Sequence, residues 1–341
     1  MVAVRGDLRL FFRQLSTLLD AGLPADRAFR VLAGDRAMAG LAGVAGKIAA
    51  RLEAGESLSS AIGEAGEPFD GFDRAVIAAS EKTGELGPGI AALARHHETR
   101  HADREKLRTA LTYPAVLTVA AIGAITALMV FVIPRFEPIF RQGGTDMPAL
   151  TQGLLTLSEA VRDYGWIALV LAGTLLAGLF TPAGRRQADE ALLRMPVFGR
   201  LLESIEIERW TRGLSLLAGR GVPLPDALVV ASALFSNGVM REAAEQLAAR
   251  VREGRTLSAA AAESGRFPDA ALQLIRIGEE SGSLDLMLAR TADYHGEEAR
   301  GRLTRLTALI EPFIIIVLGG VVATVVIALM LTVTSLNDAM L

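Results

Sequence analysis

The chain has 341 residues, is 51% hydrophobic with 5% aromatic content, and carries a net charge of −3. A pI near 5.9 offers no global basic surface to nucleic acid, and the absence of Cys excludes disulfides and thiolate chemistry. A mean hydropathy of +0.37, carried by Ala, Leu, Val and Gly, suits helices packed through small residues better than a β-rich core.

The first residues interleave Arg5, Asp7, Arg9 and Arg13 with apolar positions, so no cleavable leader is expected. Leu8, Phe11, Phe12, Leu15, Leu18 and Leu19 follow helical spacing. Gly22 suits a helix C-cap and Pro24 the first turn of the next helix. Residues 40–47 resemble a nucleotide-binding loop, but the glycine spacing is too long and Ile48 stands where Ser or Thr should hold Mg²⁺. A flexible helix connection is expected there. Gly55 and Ser57 form a turn and an N-cap, and Glu81 and Gly84 precede a long helix over 86–112.

Residues 115–133 are uncharged and long enough to span a bilayer, with Pro114 at the entry expected to kink the helix or start a new one. Residues 135–164 read as an external connection. A shorter apolar stretch, 166–180, reads as a second span, with Tyr164 and Trp166 suited to the interface. Residues 313–335 form a third, entered at Pro312. Basic residues cluster before the first span, after the second and before the third, which puts the N-terminus and the 182–312 segment on the cytoplasmic side. No ionisable residue falls inside a span, which counts against a pump or channel.

Between the second and third spans the first segment repeats. Arg13-Gln14-Leu15-Ser16-Thr17-Leu18-Leu19 followed by Gly22-Leu23-Pro24 matches Arg212-Gly213-Leu214-Ser215-Leu216-Leu217 followed by Gly221-Val222-Pro223. At the same offset Gly55 and Ser57 meet Gly254 and Thr256. One residue out of that register, Glu81 and Gly84 meet Glu279 and Gly282, His97 meets His295, and Pro114 meets Pro312. No strand-like alternation is present. The expectation is an all-α membrane protein with two repeated cytoplasmic bundles of about six helices each and about three transmembrane helices. The expected boundaries are 1–112, 113–134, 135–164, 165–182, 183–311, 312–335 and 336–341, in alternating roles of module, span, loop, span, module, span and tail.

His97-Glu98-Thr99-Arg100-His101 has the spacing of a zinc-protease helix. Against that, the surrounding run is charged almost throughout, Arg100 places a cation beside the proposed metal, and the repeat keeps only His295. A solvated helix face is the expectation. The acids Glu81/Glu85 and Glu279/Glu280 read as surface or intersubunit contacts, with a shared cation as the lesser reading. The stretch 95–108 reads as an ion-paired face or a contact to anionic headgroups.

Taken in order, the repeat, the Glu81-Lys82-Thr83-Gly84-Glu85-Leu86 string, Ile133-Pro134-Arg135-Phe136, Met147-Pro148-Ala149-Leu150-Thr151 and Met195-Pro196-Val197-Phe198-Gly199 resemble the type II secretion protein F family. One departure is Leu331-Thr332-Val333-Thr334, where the family commonly has a Pro. The resemblance implies a non-enzymatic inner-membrane platform with no cofactor. It further implies partners: a hexameric cytoplasmic ATPase, pilins or pseudopilins, other inner-membrane platform proteins, membrane lipid and further copies of itself, with no nucleic acid bound directly. The implied placement is multi-pass, with the N-terminus cytoplasmic and the C-terminus periplasmic. A membrane zinc protease using His97, Glu98 and His101 and a small multi-span exporter are the alternatives. The positions expected to shape interactions are Gly22, Pro24, Gly55, Ser57, Glu81, Gly84, Gly221, Pro223, Gly254, Thr256, Glu279 and Gly282, with Pro114 and Pro312 as membrane-entry hinges.

Overall fold

The computed structural model describes residues 2–35, 38–133, 149–178, 182–196 and 198–339. Among them are fourteen α-helices and no strand. They are α1 (Val2–Asp20), α2 (Ala25–Gly34), α3 (Ala39–Glu53), α4 (Leu58–Ala65), α5 (Gly71–Lys82), α6 (Leu86–Ala127), α7 (Ala149–Gly178), α8 (Pro182–Arg194), α9 (Phe198–Ala218), α10 (Leu224–Ser232), α11 (Gly238–Arg252), α12 (Leu257–Ser264), α13 (Asp269–Ser281) and α14 (Leu284–Ala339). A π-helical turn, Leu128–Val132, follows α6. The motif residues at 134–136, 147–148 and 197, and the last two residues of the tail, lie outside the described residues.

The chain forms two units, one of residues 1–106 and 186–301 and the other of residues 107–185 and 302–341. The first unit contains both copies of the repeat. Helices α1 to α5 and the start of α6 match α9 to α13 and the start of α14 in order and approximate length. The first helix of each copy turns a stripe inward: Leu8, Phe11, Phe12 and Leu15 in α1, and Ile207, Trp210, Leu214 and Leu217 in α9. Aromatic pairs anchor both copies at matching positions. Phe11 meets Phe69 with ring centroids 5.6 Å apart, and Trp210 meets Phe267 at 5.0 Å. The two copies share one continuous apolar core, which includes Phe72, Val76 and Ile77 from copy 1 with Leu214, Leu234 and Phe235 from copy 2.

Residues 40–47, expected as a connection, are inside α3. Leu41, Ala45, Ile48 and Ala49 lie at helical spacing and are buried, and this packing outweighs the low helix propensity of Gly40, Gly43 and Gly46.

In the second unit, α6 and α14 are long and apolar enough to cross a membrane, and only 6% of each apolar window is buried. They are therefore not the core helices of a soluble bundle: Val116, Val119, Ile122, Ile315, Ile316 and Ile327 stand exposed. A small cluster of Met129, Ile133, Leu155 and Val325 joins the π-turn, α7 and α14. Ser158 of α7 donates to the Met129 carbonyl within that turn. The stretch read as an external connection is helical from Ala149, because Leu155 and Ser158 pack inward on this cluster. The expected span 166–180 begins within α7; residues 179 and 180 and most of its side chains lie outside the described residues.

Neither membrane-entry proline starts a new helix. Pro114 lies inside α6 and Pro312 inside α14. Each proline removes one donor from a long ladder, a loss the intact turns on either side absorb. The residues preceding them meet: Tyr113 Oη donates to Glu311 Oε1 at 3.3 Å.

Candidate functional site: capped turns and a buried histidine pair

The glycines singled out in the sequence end helices in one recurring way. Gly22 N donates to Leu19 O and Leu23 N to Leu18 O, at 2.9 and 3.0 Å, while Gly22 takes φ +84°. In copy 2, Gly221 N donates to Ala218 O and Val222 N to Leu217 O, at 3.0 and 3.1 Å, with φ +74°. The same double closure recurs at Gly55 and Gly254, and at Gly84 and Gly282. All six φ values are positive, a region that a side chain disfavours. Pro24 and Pro223 occupy N-cap positions of α2 and α10, so they sit one place earlier than the first helical turn.

The start of α4 is closed from two directions. Ser57 Oγ accepts from Ser60 N at 3.2 Å. The Glu81 carboxylate, from the last turn of α5, accepts Leu58 N at 2.6 Å and Ser59 N at 3.0 Å, and also the Ser59 hydroxyl at 2.6 Å. Three orphan amides are thus satisfied, and a negative charge faces the positive end of the helix. Copy 2 repeats the device. Thr256 Oγ1 accepts from Ala259 N at 3.3 Å, and Glu279 accepts Leu257 N at 2.5 Å and Ser258 N at 3.0 Å. Burial pushes the Glu81 carboxyl up, but the hydrogen bonds from Ser59 and Leu58 outweigh it and hold the group below its ordinary value. Glu85 does something different: it faces Arg220 of the other copy, Oε2 to Nη1 at 3.3 Å.

The histidine string has an inner end and an outer end. His97 Nε2 lies 2.8 Å from Asp73 Oδ1, with the His97 ring stacked on Phe12. His96 is 7% exposed and packs on Phe72. These two rings are therefore interior, which corrects the expected solvated face at that end. His97 is covered from within copy 1 by Phe12 and Asp73, and copy 2 packs over α5 on the side of His96, cover that no local pattern announces. His101 stands further out, 3.6 Å from Glu105. Among the described residues no three His, Asp or Glu side chains converge in metal-holding geometry. His97 is engaged with Asp73 inside the bundle while His101 faces Glu105 further out, so the two imidazoles of the string have different partners.

Sequence reasoning did not single out Asp73, which does two jobs. Asp73 N donates to Asp70 Oδ1 at 2.9 Å and Asp70 N to Asp73 Oδ2 at 3.3 Å, a reciprocal box at the start of α5. Burial pushes the Asp73 carboxyl up, against the hydrogen bond and charge of His97. Burial, reinforced by the charges of His97, Arg100, Arg212 and Arg209, lowers His96 from 6.5 to about 3, so it is neutral at physiological pH. Glu206, 1% exposed, accepts from Ser236 N and Asn237 N at 2.7 and 3.4 Å. It fixes the turn before α11, and burial raises its carboxyl. An Asp-x-x-Asp box at 70–73 was the available signal for Asp73; nothing local marks its partner.

The family model described as type II secretion system (T2SS), protein F matches the chain twice, over residues 11–134 and 210–332. The chain is 35% identical to a type II secretion system protein F of Pseudomonas aeruginosa, over 97% of this chain and 83% of the relative. It is 32% identical to the type IV pilus assembly protein PilC of Myxococcus xanthus, over 98% and 81%. It is 34% identical to a type II secretion system protein F of Aeromonas hydrophila, over 98% and 88%. The double match falls on the two capped copies and the apolar helices that continue them, and the chain belongs to the type II secretion system protein F family.

Proposed function

We propose that this chain is the inner-membrane platform of a type II secretion or type IV pilus machine, and that it acts without a catalytic centre of its own. The supporting observation is the doubled arrangement: two capped helical copies in one core, each continuing into a helix apolar enough to enter lipid. The relatives carry secretion and pilus assembly names, which supports placement in one of these machines.

In this reading, residues 1–112 and 183–311 face the cytoplasm and receive a hexameric ATPase. Pilin-like subunits meet the apolar segments within the bilayer. The carboxylate-braced helix pairs keep each copy rigid, so a displacement delivered there is passed on rather than absorbed. Helices α6 and α14 run through Pro114 and Pro312 without a break, and a continuous hydrogen-bonded helix transmits load better than a loop. The exporter alternative needs polar groups along a pathway; the spans offer Thr and Ser, whose hydroxyls are turned to their own backbone at Thr118 and Thr324.

The test is affinity purification of the full-length chain from its own membranes. Recovery of a hexameric ATPase with it supports the platform role. Its consistent absence under conditions that retain other inner-membrane partners counts against the coupling role.

A further inference from the structure

The two copies in the first unit meet head to tail, not symmetrically. Copy 1 contributes α5 and the start of α6; copy 2 contributes α9 and α10. The Phe72 ring comes within 3.3 Å of the point where a Cβ on Gly213 would stand. Arg220 reaches Glu85 at 3.3 Å, and its Nη2 donates to Pro88 O at 2.9 Å. Ala92 and His96 are buried, with Arg212 and Arg209 near enough for their charges to act on His96.

A head-to-tail contact between repeats uses one face of each and leaves one face of each over. The unused face of copy 2 lies on α13 and α14. Ala270, Leu286, Arg290 and Tyr294 there correspond to Phe72, Pro88, Ala92 and His96. Where copy 1 buries Ala92 and His96, Arg290 and Tyr294 are exposed, and Ile277, Leu286 and Tyr294 each show 51% of their surface. The unused face of copy 1 lies on α1 and α2. Arg13, Thr17, Ala21 and Val31 are exposed there, whereas their counterparts Arg212, Leu216, Arg220 and Val230 are partly buried.

The two left-over faces also match in size. Within the chain a large Phe72 meets Gly213; the corresponding positions hold a small Ala270 and a longer Gln14. At the corresponding positions Tyr294 takes the place of His96 and Arg13 that of Arg212, and a guanidinium over a phenol ring is an attractive pairing. We propose that the α13–α14 face of one molecule docks onto the α1–α2 face of a second copy of this chain, repeating between molecules the contact its halves make within one. Such an interface is heterologous, so it propagates until the rotation closes a ring. The inference rests on the repeat geometry and is independent of the machine assignment above.

The chain has no Cys, so single reactive thiols can be introduced cleanly. Ala21→Cys and Ser283→Cys occupy the positions corresponding to Arg220 and Glu85. The full-length chain is purified in nanodisc-free detergent, and the two variants are mixed with a short bis-maleimide. The expected result is a cross-linked dimer in the mixture, little product in either variant alone, and a ladder from the doubly substituted chain. Adding Tyr294→Asp, or Ile277→Asp should the first misfold, lowers the product about tenfold. Absence of product in the mixture, equal product from one variant alone, or a yield unmoved by both acidic substitutions would overturn the proposal.

Discussion

The Glu81 bridge offers the sharpest local test of how each copy is held together. Its carboxylate takes the first two amides of α4, and hydrogen bonds to a charged group contribute about 1.5–3 kcal/mol each before screening. Glu81 is only half-buried, so the lower part of that range applies. Glu81→Ala should therefore cost roughly 2 kcal/mol in local stability. The assay is amide hydrogen exchange followed by mass spectrometry on the peptide covering α4. With about 1.4 kcal/mol per factor of ten, exchange there should quicken roughly 30-fold. The other copy provides an internal control. Glu279→Ala should quicken exchange in α12 and leave α4 unchanged, because Glu279 accepts from Leu257 and Ser258 of its own copy. Unchanged exchange in α4, or equal acceleration of both segments by either substitution, would refute the reasoning.

Three further outcomes follow from the same geometry. Gly84→Ala forces a side chain into φ +73° and should destabilise copy 1 by roughly 1–2 kcal/mol, whereas Gly43→Ala, in open space inside α3, should be neutral or stabilising by up to about 1 kcal/mol; thermal melts compare them. Gly213→Ala places a Cβ 2.1 Å from Leu234 Cδ1 and beside Phe72, so it should cost about 1–3 kcal/mol and raise proteolytic sensitivity between the copies. His96 takes up a proton near 6.5 in the unfolded chain but only near 3 in the folded one, so stability falls as pH drops below 6.5. From 6.5 to 5 this amounts to roughly 2 kcal/mol, and Asp73, with its raised carboxyl, opposes it at lower pH. His96→Asn should flatten the denaturation midpoint across that window; an unchanged slope would show that His96 does not carry it.

What could be read from the sequence was whatever a single turn of chain must specify by itself. A helix that ends on a left-handed residue needs Gly there, so Gly22, Gly55 and Gly84 and their counterparts announced themselves twice. Ser57 and Thr256 were legible as caps for the same reason. The partner of each cap was not, since Glu81 reaches α4 from the far end of α5 and no local pattern links them. The same limit hid the docking of Phe72 on Gly213 and made His96 and His97 look like a solvated face. Residues 40–47 misled in the opposite direction: their glycines suggested a connection, while Leu41, Ala45 and Ile48 pack a buried helix. Pro114 and Pro312 read as either a kink or the start of a new helix, because proline lacks the donor a helix interior needs, and each sits within one continuous helix.

The platform assignment is tested most directly by fibre assembly in cells whose own copy of this gene is deleted. The full chain supplied in trans should restore surface pili or secretion, and a chain lacking residues 1–114 but still inserted in the membrane should restore neither. Normal assembly with the truncated chain would contradict a role in which the capped N-terminal copy carries the load.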